Sequence, residues 1–220
     1  MAATANPAGA PEGVAQDIEA PVAAQAAVGP LTGDPAIVGV PTFVVGSVAL
    51  GLTLVGYVPA ASNGAALPII ILATGVGQLV CTIWSAALGQ SAVAAVFAIF
   101  GGFWTSYAAL LLGLDHHWYG VAPADVTHTV ATFLISWLVI IGLLTVATLR
   151  LPAAFTLIFV LVDVALALVL AGTLNSSSGL DKAGGIVVFA FAAVGAYVFA
   201  GSASVATGGK PLPLGRPVIT

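Results

Sequence analysis

The chain has 220 residues, of which 60% are hydrophobic and only 5% are charged. A water-soluble domain carries about 25% charged residues, so this composition excludes a soluble globular protein. Only four Lys and Arg residues stand against eight Asp and Glu residues, which also excludes a basic surface that tracks the phosphates of a nucleic acid.

The first 33 residues differ in composition from the rest of the chain. They are rich in Ala and Pro, and they contain Glu12, Asp17 and Glu19 but no basic residue. A secretory signal requires a positively charged start and an apolar run, and neither is found here. We therefore predict that residues 1–33 form a disordered, acidic tail.

Six apolar segments follow Gly33, each with about the 20 residues that a bilayer-spanning helix needs. Clusters of turn-forming and polar residues separate them, the longest at Asp115–Asp125 and Asn175–Lys182. The sequence therefore predicts an all-α polytopic membrane protein, with a six-helix transmembrane domain at 34–207 and a Pro-rich C-terminal tail at 208–220. The predicted spans are Ile37–Val58, Ala66–Leu88, Ser91–Leu114, Val126–Leu149, Pro152–Leu174 and Ala183–Ala206.

The basic residues indicate how these helices are oriented. An even number of spans places both termini on one side of the membrane, together with Arg150, Lys210 and Arg216, whereas only Lys182 falls on the other side. Since loops that remain in the cytoplasm are enriched in Lys and Arg, we expect an integral protein of the plasma (inner) membrane with both termini in the cytoplasm.

Asp163 is the most informative polar residue within a predicted span. It is the twelfth of the 23 residues in Pro152–Leu174, and a charged carboxylate at that depth costs at least about 2.5–3.5 kcal/mol. We therefore expect Asp163 to face a watery path or a partner, or to hold its proton. Two interpretations remain open: a protonatable pathway residue, or a neutral acid that bonds a neighbouring helix.

Three other polar residues within spans are candidates for a pathway. Hydroxyls such as those of Thr74 and Thr105 often bond a carbonyl of their own helix, so their presence alone indicates little. Gln78 cannot satisfy its amide in that way. We expect it either to line a pathway or to bond another helix.

Catalytic and metal sites are not indicated. His116 and His117 lie beside Asp115 in a predicted loop, and His128 begins the fourth span. A metal site needs three or four converging ligands, whereas adjacent loop histidines point in different directions. Because the sequence also lacks nucleophile–base patterns, paired carboxylates and phosphate-binding glycine loops, we predict no enzyme, no metal and no cofactor.

Three short motifs resemble those of a known membrane family. Residues 34–40 read Asp-Pro-Ala-Ile-Val-Gly-Val, which resembles the Asn-Pro-Ala-Pro-Leu-Gly-Leu signature of the acetate uptake transporter family. Residues 100–104 are similar to its aromatic-Gly-x-Phe-Trp motif, and residues 210–217 are similar to its Pro-Leu-Gly-Lys/Arg tail. The family includes bacterial succinate–acetate permeases and yeast acetate and ammonia-export proteins, and the motifs occur in the family's order.

This resemblance implies a homo-hexamer of six-helix protomers with one pore through each protomer. It also implies an apolar constriction formed by Phe43, Phe100 and Val162, from the first, third and fifth helices. Asp34 replaces the first Asn of the signature. Either residue can cap a helix, but Asp adds a negative charge near the path of an anion.

The function expected from the resemblance is membrane transport of acetate or a similar small monocarboxylate, by proton-coupled symport or through an anion channel. The expected partners are this carboxylate, protons and the lipid bilayer. Export of ammonia or another small solute, and a non-transporting subunit of a membrane complex, remain as alternatives. The candidate residues of the substrate or proton pathway are Asp163, Gln78, Asp34, Thr74 and Thr105.

Overall fold

The computed structural model describes residues 32–219. This part of the chain is all-helical, and six helical segments are long and apolar enough to cross a membrane, which confirms the predicted fold class. Apart from residues 32 and 33, the N-terminal tail predicted at 1–33 lies outside the described residues. The helices are α1 (Ala36–Leu54), α2 (Val76–Ala87), α3 (Ser91–Asp115), α4 (Val126–Thr148), α5 (Ala153–Asn175) and α6 (Ser178–Ala206).

The second membrane segment, Gly64–Ala87, is less regular than the other five. It is entered through a 3₁₀ helix at Ala60–Ala66 and continues as a π-helix at Ile69–Gly75 before α2 begins. The wider π turn presents the buried Thr74 to Gly46 of α1. π-Helical turns are often found near functional sites.

Two predicted helix boundaries were wrong. α1 ends at Leu54, not Val58, because Gly56 adopts a left-handed conformation (φ +82°) and the N–H of Tyr57 donates to the carbonyl of Leu52 at 3.0 Å. This arrangement is the glycine-terminated Schellman motif. The chain therefore turns away from the bundle axis about one helical turn earlier than its apolar composition suggests.

The loop predicted at Asn175–Lys182 is also wrong, because α6 already begins at Ser178. Only Ser176, with φ +50°, and Ser177 separate α5 from α6. The backbone N–H of Asp181 donates to the carbonyl of Ser177 at 3.2 Å, and a negative charge in the first turn suits the positive end of the helix dipole. The polar residues that resembled a loop thus form the first turn of a helix.

The six helices form a closed ring around a shared apolar core. Each helix packs against the next one in the chain, and α6 also packs against α1. Glycines allow the close contact of α1 with α6: a methyl group added at Gly185 would lie 2.9 Å from Cβ of Leu54 and 3.2 Å from the carbonyl oxygen of Gly51. Small residues allow helices to associate closely where lipid provides no hydrophobic driving force.

The C-terminal segment after α6 packs along one end of the ring. The carbonyl of Leu214 accepts from the N–H of Ala154 at 2.9 Å, and the carbonyl of Leu149 accepts from the N–H groups of Val218 and Ile219 at 3.0 and 3.1 Å. The hydroxyl of Tyr197 donates to the carbonyl of Pro213 at 3.0 Å. We call this end of the ring the terminal side, and the opposite end, at Gly56 and Ser176, the loop side.

Candidate functional site

An aromatic layer crosses the middle of the helix ring. The rings of Phe43 and Phe100 meet edge to face with centroids 5.0 Å apart, and Phe191 lies 5.5 Å from Phe43. Phe159 lies 5.5 Å from Phe100. These separations are those of aromatic pairs in contact, so side chains from α1, α3, α5 and α6 pack against one another at this level.

An apolar cavity of about 60 Å³ adjoins this layer and extends toward the loop side. A cavity this size has room for water-sized or slightly larger molecules, but its walls are almost entirely hydrocarbon and aromatic. The lining residues are Phe43, Leu50, Leu54, Phe100, Phe103, Trp104, Tyr107, Leu134, Val162, Ala165, Leu166, Val169, Val188 and Phe191.

The three residues predicted to form a constriction lie together at this cavity. Phe43, Phe100 and Val162 are all buried and all line it, although they come from three different helices. That they form the narrowest point of a transport pathway stays a prediction. The structure is compatible with it, since none of the three side chains faces the lipid.

Asp163 follows Val162 on α5 but is not among the residues that line the cavity. Its Oδ2 accepts a hydrogen bond from the hydroxyl of Thr145 on α4 at 2.6 Å. Its Oδ1 is buried and has no partner among the described residues. Asp163 therefore belongs to the α4–α5 contact, and its proposed role in proton or substrate movement stays a prediction.

Gln78 lies between α1 and α3, close to the aromatic layer. Its Nε2 donates to the carbonyl of Gly39 at 2.6 Å and to the hydroxyl of Thr42 at 3.0 Å. A methyl group on Gly101, the residue after Phe100, would meet Cβ of Gln78 at 3.2 Å. Gln78 therefore bonds another helix, which is one of the two expectations from the sequence. Its Oε1 is buried without a partner in the described part of the chain.

The remaining candidate pathway residues are not cavity-lining residues. Thr105 donates to the carbonyl of Gly101 on its own helix at 2.7 Å. Thr74 is fully buried against α1, and its hydroxyl has no partner within residues 32–219. The Oδ1 of Asp34 accepts from the N–H of Ala36, the first residue of α1, at 2.9 Å. The pathway roles of all three residues remain untested.

Sequence reasoning missed three contributors to the site: Phe159, Phe191 and Trp104. Trp104 belongs to the motif at residues 100–104, but only the first residue of that motif was assigned to the pathway. The two phenylalanines lie on helices that are apolar on every face, so hydrophobic periodicity could not identify which face is turned inward.

The histidines of the predicted loop do not gather into a site. His116 stacks on Trp118 with ring centroids 5.4 Å apart, and His117 adopts a left-handed conformation with φ +56°. Within residues 32–219, no group of three or more His, Cys, Asp or Glu side chains is arranged to hold a metal ion.

Comparison with known families finds one match that covers most of the chain. The model of the GPR1/FUN34/yaaH family matches residues 20–210. This range includes the whole helix ring, the aromatic layer and the cavity.

Two proteins of budding yeast are among the relatives of the chain. Accumulation of dyads protein 2 of Saccharomyces cerevisiae is 32% identical over 65% of this chain and 50% of its own length. Ammonia transport outward protein 2 of the same yeast is 28% identical over 54% of this chain and 44% of its own length. The chain thus spans about half the length of these relatives.

The structure of the bacterial acetate channel SatP superimposes with a TM-score of 0.74 and 23% sequence identity. The match covers 84% of this chain and 99% of the SatP chain. This likeness shows that the two proteins share the fold of six helices.

Proposed function

The chain belongs to the GPR1/FUN34/yaaH family, and from this premise we propose that it carries acetate or a similar small monocarboxylate across the plasma membrane. In this proposal the solute crosses the aromatic layer and the adjoining cavity at the centre of each helix ring. The bacterial channel with the same fold is named for acetate, which supports this choice of solute. The chain is a membrane protein and not an enzyme.

The meeting of Phe43, Phe100 and Val162 at one buried cavity is the observation that carries the proposal. Acetate has a methyl group, which an apolar wall accepts, and a carboxyl group, which must lose part of its water to enter. A hydrated inorganic ion has no apolar part to compensate for that loss, so a dry aromatic layer resists it. A small monocarboxylic acid fits both requirements.

The polar candidates take supporting roles in this proposal. Asp163, held by Thr145 on the α4–α5 contact, would link transport to pH by binding a proton. Its fixed negative charge would otherwise repel an acetate ion in the neighbouring cavity. Gln78, Thr74 and Thr105 do not line the cavity, so in this proposal they would offer polar atoms to a partly dehydrated carboxyl group elsewhere along the path. Asp34 would act at the entrance, where α1 begins.

We further propose that the protein forms a homo-hexamer with both termini in the cytoplasm. The exposed faces of all six helices are apolar, and they would contact either lipid or a second copy of the chain. The terminal side, which carries Arg150, Lys210 and Arg216, would then face the cytoplasm.

Uptake of radiolabelled acetate by proteoliposomes of the purified protein tests the proposed function. Acetic acid crosses bare lipid by itself, so protein-free liposomes are the baseline. We expect saturable uptake above this baseline, with competition by propionate. An inward proton gradient at zero membrane potential should accelerate uptake if protons are co-transported and should have no effect on a channel for the anion.

The same experiment separates the alternatives. Ammonia export has support from the name of one relative that is 28% identical, and it predicts transport of ammonium or methylammonium with no competition by acetate. A non-transporting subunit predicts no flux of either solute above the baseline. Either result would contradict the proposed transport of a monocarboxylate.

A further inference from the structure

The walls of the apolar cavity contain almost no polar groups. Of the side chains within residues 32–219 that line it, only Trp104 and Tyr107 carry a hydrogen-bonding atom, and none carries a charge. Any solute with a carboxyl group that enters the cavity therefore has very few protein groups available for hydrogen bonding. These two side chains are the candidates for recognising it.

Of these two lining side chains, Trp104 carries a buried donor that the fold leaves unused, as does Trp84 away from the cavity. The side chain of Trp104 is 1% exposed, and its indole Nε1–H has no acceptor among the described residues. Buried donors are almost always paired in folded proteins, since an unpaired one costs about 1–3 kcal/mol. Trp104 is one of the residues that line the cavity, so a ligand bound there that supplied the acceptor would account for this unpaired donor.

The position of Trp104 suits such a ligand. It lies one helical turn beyond Phe100 on α3, toward the loop side, where the cavity adjoins the aromatic layer. Its ring is held edge to face between Phe43, with centroids 6.3 Å apart, and Phe103, at 5.1 Å. Because the indole is already fixed by packing, little side-chain freedom is lost when its N–H donates to a bound molecule.

We propose that the indole N–H of Trp104 donates a hydrogen bond to a carboxyl oxygen of the solute in the cavity, and that this bond selects for small monocarboxylic acids. This inference rests on the proposed function and names the residue that recognises the substrate. A single neutral donor satisfies one oxygen of a monocarboxylate, but it leaves the second charged group of a dicarboxylate unpaired in a dry cavity. It also offers nothing to ammonium, which has no acceptor.

Nuclear magnetic resonance of the indole groups tests this bond directly. The chain has four tryptophans, so ¹⁵N-labelled protein should give four indole signals, and the Trp104 signal is identified by its loss in Trp104→Phe. We expect this signal to shift saturably as acetate is added, while the signal of Trp137, which does not line the cavity, stays in place. A Trp104 signal that does not respond at saturating acetate would overturn the proposal.

Transport kinetics provide a second and independent test, with Trp137→Phe as the matched control. Trp137 also packs against Phe103, with centroids 5.7 Å apart, so the control removes an indole from the same aromatic cluster. We expect Trp104→Phe to raise the half-saturating acetate concentration about tenfold, the effect of losing one hydrogen bond to a charged group. Trp137→Phe should leave it within about twofold of the wild type.

The outcomes separate this inference from the proposed function. No acetate flux by the wild-type protein would contradict the proposed function itself. Normal flux by the wild type together with an unchanged half-saturating concentration in Trp104→Phe would overturn only the role of Trp104. If Trp104→Phe does not fold, benzothienylalanine at this position, which replaces the indole N–H with sulfur in a ring of the same size, carries the same prediction.

Discussion

The ring of Phe43 contacts three other aromatic rings, those of Phe100, Trp104 and Phe191. Its position follows from the sequence on both sides. Gly39, one turn earlier, leaves room for the ring of Phe97, and Gly46, three residues later, leaves room for Thr74. Small neighbours allow the π-helix and α3 to approach α1 closely, and a large side chain at position 43 then fills the centre.

Replacing Phe43 by Ala should open the aromatic layer. We expect Phe43→Ala to admit larger acids such as butyrate and benzoate at rates comparable with acetate, together with a loss of about 3–5 kcal/mol in stability from the cavity it leaves. Uptake of the three labelled acids by proteoliposomes measures the change in selectivity. Phe97→Ala is the control, since Phe97 is equally buried but does not line the cavity; equal selectivity changes in both variants would argue against the layer as the filter.

A pH dependence of transport would rest on the carboxyl group of Asp163. Asp163→Asn keeps the shape and the hydrogen bond to Thr145 but can no longer gain or lose a proton. We therefore expect acetate uptake by Asp163→Asn to vary less with pH between about 4 and 8 than uptake by the wild type. Thr132→Val on α4, whose exposed hydroxyl donates to the carbonyl of His128 on its own helix, is the control and should keep the wild-type profile.

An Asp163→Asn protein with the same pH profile as the wild type would exclude Asp163 from proton coupling. The carboxyl group would then be a structural link between α4 and α5. Loss of thermal stability without any change in the pH profile is the result expected of that purely structural role.

At the scale of the elements, the close contact between α1 and α6 depends on glycines in both helices. Gly185→Ala would bring a methyl group to 2.9 Å from Leu54 and 3.2 Å from the backbone of Gly51. Overpacking of this kind costs about 1–3 kcal/mol, so we expect a lower melting temperature in detergent. Gly142→Ala on α4, where no atom of the described residues lies within 4 Å of the added carbon, should melt at or slightly above the wild-type temperature.

Equal melting temperatures for the Gly185→Ala and Gly142→Ala proteins would contradict the close packing of α1 against α6. In that case the many glycines of these helices would have another purpose, such as contacts between protomers.

The existence of the helices was predictable from the sequence, whereas their ends and irregularities were not. Long apolar runs have few alternatives to spanning helices in a bilayer, because every backbone polar group must be satisfied internally. The start of α6 at Ser178 was missed because polar residues can form a first helical turn as readily as a loop. The π-helix at Ile69–Gly75 could not be predicted, since its apolar composition is the same as that of an α-helical span.

Residues of the site could be predicted only where an ordered sequence motif marked their positions. Phe43 and Phe100 were found because they follow or open recognisable motifs, and Val162 because it lies midway along α5. The aromatic layer also contains Phe159 and Phe191, which lie on helices without a polar face, so no pattern distinguished inward from outward residues. Polar residues within the spans were predicted as candidates to line a pathway, but most of them make contacts within one helix or between helices.

The whole molecule is a ring of six helices in which a packed aromatic layer adjoins a small apolar cavity. The ring is closed by the contact of α6 with α1, and the C-terminal segment ties α4, α5 and α6 together on the terminal side. This arrangement confines the dry cavity to the centre of the protomer. A solute that passes through a single protomer would therefore meet the aromatic layer.

Two substitutions on α5, two residues apart, test directly whether the central cavity is the path of the solute. Val162 lines the cavity, whereas Val164 is 42% exposed on the outer face of the ring. Val162→Phe should fill much of the cavity and reduce acetate flux in proteoliposomes by at least about tenfold, while Val164→Phe, which adds the same ring toward the lipid, should keep wild-type flux. Wild-type flux through folded Val162→Phe protein, or an equal loss in both variants, would contradict transport through this cavity.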